Sequence, residues 1–220
     1  MMQRQFVSYP KSGRTWIRFI LSQLNCEHLI QFHHDHFEFS DSSRPPHSFC
    51  LSSRLVQYAE IEKLVYLDRD PRDVMVSLYH QITGRFRVEF DYHRSMSDFI
   101  RDDYFGAANL RKFRDMWDSI ADDRGFLKVS YEACHASVNG VLRQILSYYE
   151  IEVSEAELSK AVAEGSLTNM QKIESSMQFA EPWLRYRNGS PKVRQGKVGE
   201  FREVFTDADI AFLNEVFDLS

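Results

Sequence analysis

The sequence predicts an α/β fold: a mainly parallel sheet flanked by helices in three layers. Three observations carry that reading. Short apolar runs at Phe6–Ser8, Leu29–Phe32, Lys63–Leu67 and Phe126–Tyr131 alternate with amphipathic stretches of helical period. Pro, Ser, Gly and Asp gather at the strand-to-helix junctions. The 220 residues, 43% of them hydrophobic, suit one domain, 1–220, with a sizeable core.

The first junction is the most informative. Phe6-Val7-Ser8 enters the turn Tyr9-Pro10-Lys11-Ser12-Gly13, and Trp16, Ile17, Ile20, Leu21 and Leu24 recur beyond it at helical spacing. A strand, a tight loop and a helix aim backbone amides and a helix N-terminus at one point, which suits an anion. Lys11 adds charge there. It precedes Ser12 and Gly13, whereas in the common nucleotide-triphosphate loop the lysine follows the last glycine.

A second strand, Leu29–Phe32, leads into His33-His34-Asp35-His36, and the Pro/Ser-rich stretch 40–53 reads as loop. Lys63–Leu67 reads as a buried strand running into Asp68-Arg69-Asp70-Pro71. Pro71 there opens a helix bearing Val74, Met75, Leu78 and Tyr79. The aromatic and charged segment 84–92 reads as irregular. Leu110, Phe113, Trp117 and Ile120 mark a helix, and Phe126–Tyr131 a strand. Val138, Val141, Leu142, Ile145 and Leu146 form a helical stripe, and Ser154 with Glu157 a capping box. Residues 175–200 lack periodicity and read as a long functional loop. The last helix starts near Thr206, burying Ile210, Leu213 and Val216 or Phe217.

Composition bounds the function. The net charge is −5, so any basic site is local and a general nucleic-acid partner is not expected. No apolar run reaches membrane-spanning length, and Met1–Gln5 leads straight into the first strand, which predicts a cytoplasmic protein without a signal peptide. Cys26, Cys50 and Cys134 fit neither a disulfide framework nor a metal cluster and read as reduced, buried thiols.

Three segments suited to anions occur in order: residues 9–16; Arg69 through Ser77, two helical turns apart; and Arg194-Gln195-Gly196-Lys197-Val198-Gly199. Together they resemble the family of sulfotransferases that use 3′-phosphoadenosine 5′-phosphosulfate (PAPS), over almost the whole chain. That family carries a Tyr-Pro-Lys-Ser-Gly-Thr-Thr-Trp loop, an Arg-x7-Ser element and an Arg-Lys-Gly-x-x-Gly loop. The resemblance implies a P-loop-like site that takes PAPS as donor and releases 3′-phosphoadenosine 5′-phosphate (PAP), without metal. It implies sulfuryl transfer to a hydroxyl or amine of a small-molecule or glycan acceptor. By position it assigns Lys11 to the bridging oxygen of the donor. Ser12, Gly13, Arg14, Thr15 and Trp16 fall on the 5′-phosphate loop, with Trp16 on adenine. Arg69, Ser77, Arg194, Gln195 and Gly196 fall on the 3′-phosphate site. Tyr131 and the Ser166-Leu167-x-x-Met170 element fall near the nucleotide.

The departures are specific. Arg14 stands where the family has threonine. Gln195 replaces a basic residue, which shifts the expected charge to Arg194 and Lys197. Of the family's dimerisation stretch only Thr206 survives, so the oligomeric state stays open. For proton removal a histidine is expected. His34 follows the second strand, with Asp35 as its expected orienting carboxylate. His47, 22 residues before Arg69, is the alternative base. A metal site at 33–36 is disfavoured, since the i, i+4 pair and acidic partner are missing. Two other functions share parts of this pattern. A nucleotide phosphotransferase needs a Gly-x4-Gly-Lys-Ser/Thr loop that the chain lacks. A non-catalytic nucleotide- or partner-binding domain could use segments 86–92 and 183–186. The acceptor pocket is expected from loops 35–53, 82–106 and 175–193.

Overall fold

The computed structural model describes residues 3–39, 42–176, 184 and 186–219. Its elements run β1 (Arg4–Ser8), α1 (Arg14–Gln23), β2 (Gln31–His33), α2 (Leu51–Gln57), β3 (Lys63–Asp68) and α3 (Pro71–His80). A π-helical turn (Gln81–Arg85), α4 (Arg87–Phe90), α5 (Met96–Ile100), α6 (Ala107–Arg124) and β4 (Leu127–Ser130) follow. Then come α7 (Tyr131–Ala136), α8 (Val138–Tyr148), α9 (Glu155–Glu164), α10 (Leu167–Ser175), α11 (Phe201–Val204) and α12 (Asp207–Phe217). The four strands are parallel, in the order β2-β1-β3-β4.

Alternation along the two central strands builds two cores. Val7, Leu64 and Tyr66 point to one face, where Val74, Met75, Phe113, Trp117 and Leu213 cover them. Phe6, Val65 and Leu67 point to the other, under Ile17, Ile20, Leu142 and Ile145. This is the expected three-layer arrangement. The chain leaves β1 toward β2 on one side and reaches β3 on the other, so the crevice between the carboxyl ends of β1 and β3 is the switch point where such sheets bind ligands.

Four local differences from the sequence reading matter. The second strand is Gln31–His33 rather than 29–32, a short edge strand. Tyr131 opens α7 instead of ending β4, because Ser130 caps that helix by accepting the Ala133 amide at 3.1 Å. That turns Tyr131 out of the sheet. Most of segment 84–92 is helical, not irregular: Gly84 and Arg85 end the π-helical turn and Arg87–Phe90 form α4, because Ile82, Phe86 and Phe90 are buried in the core and hold it in place. Within the stretch read as loop, α2 already starts at Leu51; Ser40 and Asp41 lie outside the described residues. Pro182, Trp183 and Arg185, in the loop expected to line the acceptor pocket, lie outside them too. Thr206 caps α12 as expected, and Leu213 and Phe217 are buried. Cys26 and Cys134 are buried thiols, while Cys50 is exposed at the start of α2. Among the described residues no helix is long and apolar enough to cross a membrane.

One buried carboxylate fixes the end of β2. Asp35 is 1% exposed and accepts from Arg54 Nε at 2.7 Å, Tyr58 Oη at 2.8 Å and Trp117 Nε1 at 3.2 Å. It also has a left-handed backbone, φ 50°. Removing the carboxylate leaves the Arg54 guanidinium buried without its counter-charge. Asp35→Ala is therefore expected to lower folding stability by about 3–5 kcal/mol, read by chemical denaturation.

Candidate active site

All four strands deliver residues to one cavity of about 650 Å³ at their carboxyl ends. β1 leads to Lys11, Gly13, Arg14, Thr15 and Trp16; β2 to His34; β3 to Arg69 and Ser77; β4 to Tyr131. Leu167, Met170, Arg194, Gln195 and Gly196 complete the expected set. Ser12 and Ser166 do not line the cavity. Ser12 is buried inside the turn, its amide donating to Tyr9 O at 3.3 Å, and Ser166 caps α10.

The loop is strained where it is needed. Lys11 has φ 76° and Gly13 φ 99°. Such left-handed residues turn successive amides toward one side of the chain. No side chain caps α1, so its first-turn amides stay available to an anion. At Gly13 a Cβ would stand 2.3 Å from Tyr131 Cδ2, so only glycine lets that ring close over the loop. Trp16 is fixed edge-on to Tyr131, and its Nε1 donates to Gly165 O at 2.8 Å.

Arg69 ties the three anion segments together. Its Nη1 donates to Lys11 O and its Nη2 to Lys197 O, both at 3.1 Å. Its guanidinium lies 4.2 Å from the Tyr131 ring centre. Nε is buried and has no hydrogen-bond partner. Asp73, fully buried, stands 3.8 Å from Arg69 and accepts from the Gly199 and Phe201 amides at 2.7 and 3.0 Å. Arg194 is paired with Glu200 at 2.6 Å. Lys197, expected to share the anion with Arg194, instead points away: its ammonium pairs with Glu203, and only its carbonyl reaches the site.

The histidines separate cleanly. His34 lines the cavity, and its Nδ1–H donates to Ser8 O at 2.7 Å, which leaves the Nε2 lone pair free of that contact. Burial first, then the Arg14 charge, push its pKa well below the ordinary 6.5. Asp35, the expected orienter, does not touch His34; its oxygens are taken by Arg54, Tyr58 and Trp117, and Ser8 O orients the ring. His47 lies outside the cavity lining. It stacks on Tyr104 at 4.4 Å and Phe37 at 4.9 Å, and its Nε2 donates to Tyr104 O at 3.1 Å. His33 bonds Gln5 and stacks on Tyr58. Among the described residues no three His, Cys, Asp or Glu side chains are placed to hold a metal.

Lys11 is a strongly perturbed cation. Burial, then Lys192, Arg85, Arg194 and Arg69, hold its pKa well below the usual 10.5. Of these, Arg85 and Lys192 were not among the site residues read from the sequence, nor were Glu38, Phe39, Gln81, Phe86, Tyr186 and His135, which also line the cavity. Several fall inside the loops expected to build the acceptor pocket, but without a motif to single them out.

The Sulfotransferase domain family matches residues 59–219. The chain belongs to the sulfotransferase family. It is 25% identical to human sulfotransferase 2B1 over 96% of this chain and 63% of that protein's length. To rabbit (Oryctolagus cuniculus) amine sulfotransferase it is 22% identical, over 91% of this chain and 74% of the relative. The fold superimposes on mouse sulfotransferase SULT7A1 complexed with PAP, with a TM-score of 0.71 at 18% identity, covering 98% of this chain and 82% of the other. Retinol dehydratase in complex with androsterone and PAP gives 0.65 at 16% identity, covering 98% of this chain and 79% of the other.

Gly13 offers a direct test of the loop geometry. Gly13→Ala meets both the positive φ and the Tyr131 ring, whereas Gly125→Ala, at φ 64° with nothing within 4 Å, meets only the first. Gly125→Ala is expected to cost about 1 kcal/mol and Gly13→Ala clearly more, both read by denaturant titration.

Proposed function

We propose that this chain transfers the sulfuryl group of PAPS to an acceptor hydroxyl or amine, with His34 as general base. The observation that carries the reading is the convergence of three anion segments on one cavity through Arg69. When bound there, the donor supplies an activated sulfuryl group on a phosphate leaving group. Lys11 and the first-turn amides of α1 would neutralise charge growing on that phosphate's bridging oxygen, an interaction strongest in the transition state. Arg69 through its unpartnered Nε, with Ser77 and Arg194, would hold the 3′-phosphate; Gln195 and Gly196 line the same end. Trp16, Tyr131, Leu167 and Met170 would enclose the adenosine. Cavity size fits a ligand of this size.

His34 is suited to accept the acceptor's proton. Its Nδ1–H is committed to Ser8 O, so Nε2 is the basic atom. Its depressed pKa keeps the ring neutral at neutral pH. His47, committed to Tyr104 O and outside the lining, is a packing residue in this reading.

Two measurements test the proposal. PAP at 100 times its Kd is expected to raise Tm by about 5 °C or more. ATP with Mg²⁺ should have a much smaller effect, and a response to ATP alone would favour the phosphotransferase reading. Arg69→Ala should abolish the PAP shift, and Arg69→Lys should not restore it, because an ammonium cannot make the forked contacts to Lys11 O and Lys197 O. Lys11→Met should remove turnover while raising Tm of the free protein, since a buried, crowded charge is lost.

The pH profile follows from His34. Its pKa in the folded protein lies below 6.5, so it stays unprotonated until the pH drops through that lower value. The acid limb of kcat/KM should therefore fall below pH 6.5. His34→Ala should lose transfer, whereas His47→Ala should retain it. The opposite pattern would move the base to His47.

A further inference from the structure

His135 lines the cavity but belongs to none of the three anion segments. It stands on α7 four residues after Tyr131, one turn along the same helix face. The Ser130 cap that swings Tyr131 over Gly13 therefore carries His135 to the cavity as well. Its ring centre lies 4.7 Å from that of Tyr131 and 5.3 Å from that of Trp16. The Arg69 guanidinium lies 4.2 Å from the same Tyr131 ring centre. The last loop is the remaining neighbour: the Gly196 backbone makes a polar contact with the imidazole. His135 thus stands where the adenosine wall, Trp16 and Tyr131, meets the phosphate end, Arg69 and Gly196.

The surroundings decide its charge. Arg69, from the β3–α3 junction and itself beside Asp73, is the cation that acts on the ring, and Glu132, on α7, is the carboxylate. Glu132 is engaged, its Oε1 accepting the Asp70 amide at 3.0 Å. Trp16 and Gly196 bring no titratable group. Burial keeps the Tyr131 phenol neutral. Burial, then Arg69, lower the His135 pKa below the ordinary 6.5, so the free protein holds a neutral ring at neutral pH. A neutral imidazole has one N–H and one lone pair, whereas the imidazolium has two N–H groups. With one N–H committed to the Gly196 backbone, only the charged form has a second to offer an anion. A phosphate dianion set on Arg69 supplies the negative charge that favours that form.

We propose that His135 is a further ligand of the 3′-phosphate and becomes protonated in the complex, so that the nucleotide binds with uptake of a proton. The inference rests on the sulfotransferase reading and extends its donor site. Its sign follows from linkage: the bound state holds the extra proton, so the histidine's contribution to affinity rises as the pH falls from about 8 to about 6.5. Lys11 and the phosphates respond to the same binding event, and subtraction of a His135 variant removes their share. The ring is exposed, so the gain is that of a partly solvated charge pair.

The test is calorimetric titration of PAP into the full chain, in buffers of different ionisation enthalpy, at about pH 6.5 and about pH 8. Three proteins are compared: wild type, His135→Gln, and His135→Phe, which keeps a ring against Trp16 and Tyr131. At the lower pH the wild type should take up about half a proton more than either variant. Its affinity advantage over both should grow about threefold or more from the higher pH to the lower, and shrink with added salt. Equal proton counts in wild type and His135→Gln would overturn the proposal. So would full affinity in His135→Phe at both pH values, which would make His135 a packing residue, or an advantage indifferent to salt, which would put the ring on adenine. A wild type that binds no PAP would overturn the donor reading and this inference with it. Wild-type binding with a proton count equal to that of the variants overturns only this one.

Discussion

The guanidinium of Arg69 is the interaction on which the site depends. Sequence places it at the end of β3, one residue past the sheet. From there its two terminal nitrogens reach carbonyls at Lys11 and Lys197, which lie 58 and 128 residues away along the chain. Asp73 braces the same loop through the Gly199 and Phe201 amides. A planar, permanently charged fork can bond two carbonyls, lie on the Tyr131 ring and still present a buried, unpartnered Nε to a ligand. Lysine has neither the geometry nor the number of donors.

The sheet explains why so few residues accomplish this. Because all four strands are parallel, every carboxyl end falls on the same edge. A residue at each end then needs only a turn to reach the cavity. The small devices seen locally serve that purpose. Ser130 caps α7 and so swings Tyr131 over Gly13. Asp35 locks the turn after His34 against Arg54, Tyr58 and Trp117. Ser8 O, the last carbonyl of β1, selects the His34 tautomer. Each is a hydrogen bond at a strand end whose consequence is felt inside the cavity.

Legibility in the sequence followed the range of the physics. The strands, the Lys11 loop, α3 behind Pro71 and the α8 stripe rest on local periodicity and turn chemistry, and they were readable. So was the grouping of Arg69, Ser77 and Arg194, because it rested on motifs. Contacts decided by tertiary burial were not. Helicity in 84–92 comes from Ile82, Phe86 and Phe90 entering the core, not from their spacing. Helix α5 did carry a readable signal, the Ser95/Asp98 capping box, which could have found it. Lys197 looked like a ligand from its place between glycines, yet Glu203 holds it outside. His47 sat at a suggestive spacing, but spacing along the chain does not say that Tyr104 and Phe37 enclose the ring. Arg85 and Lys192 had no motif at all; only the folded charge distribution singles them out.

That distribution links the parts of the chemistry. The chain carries a net charge of −5 and still crowds its cations around one cavity. In the free protein this is unfavourable: Lys11 has a positive φ, and burial and four neighbouring cations depress its pKa. A lysine whose folded pKa lies below its unfolded value destabilises the fold at every pH where it is still charged. That cost is full below the folded value, shrinks as the pH rises beyond it, and is gone only above the unfolded value. An anionic ligand relieves the same cost at neutral pH, so binding energy and fold stability are coupled at Lys11. The crowding also acts on His34, where burial and the Arg14 charge keep the imidazole neutral and its Nε2 basic. In the proposed function, anion binding and a ready proton acceptor therefore share a cause. Weakening the cations to stabilise the free fold would weaken the hold on the ligand and lift the histidine toward protonation together.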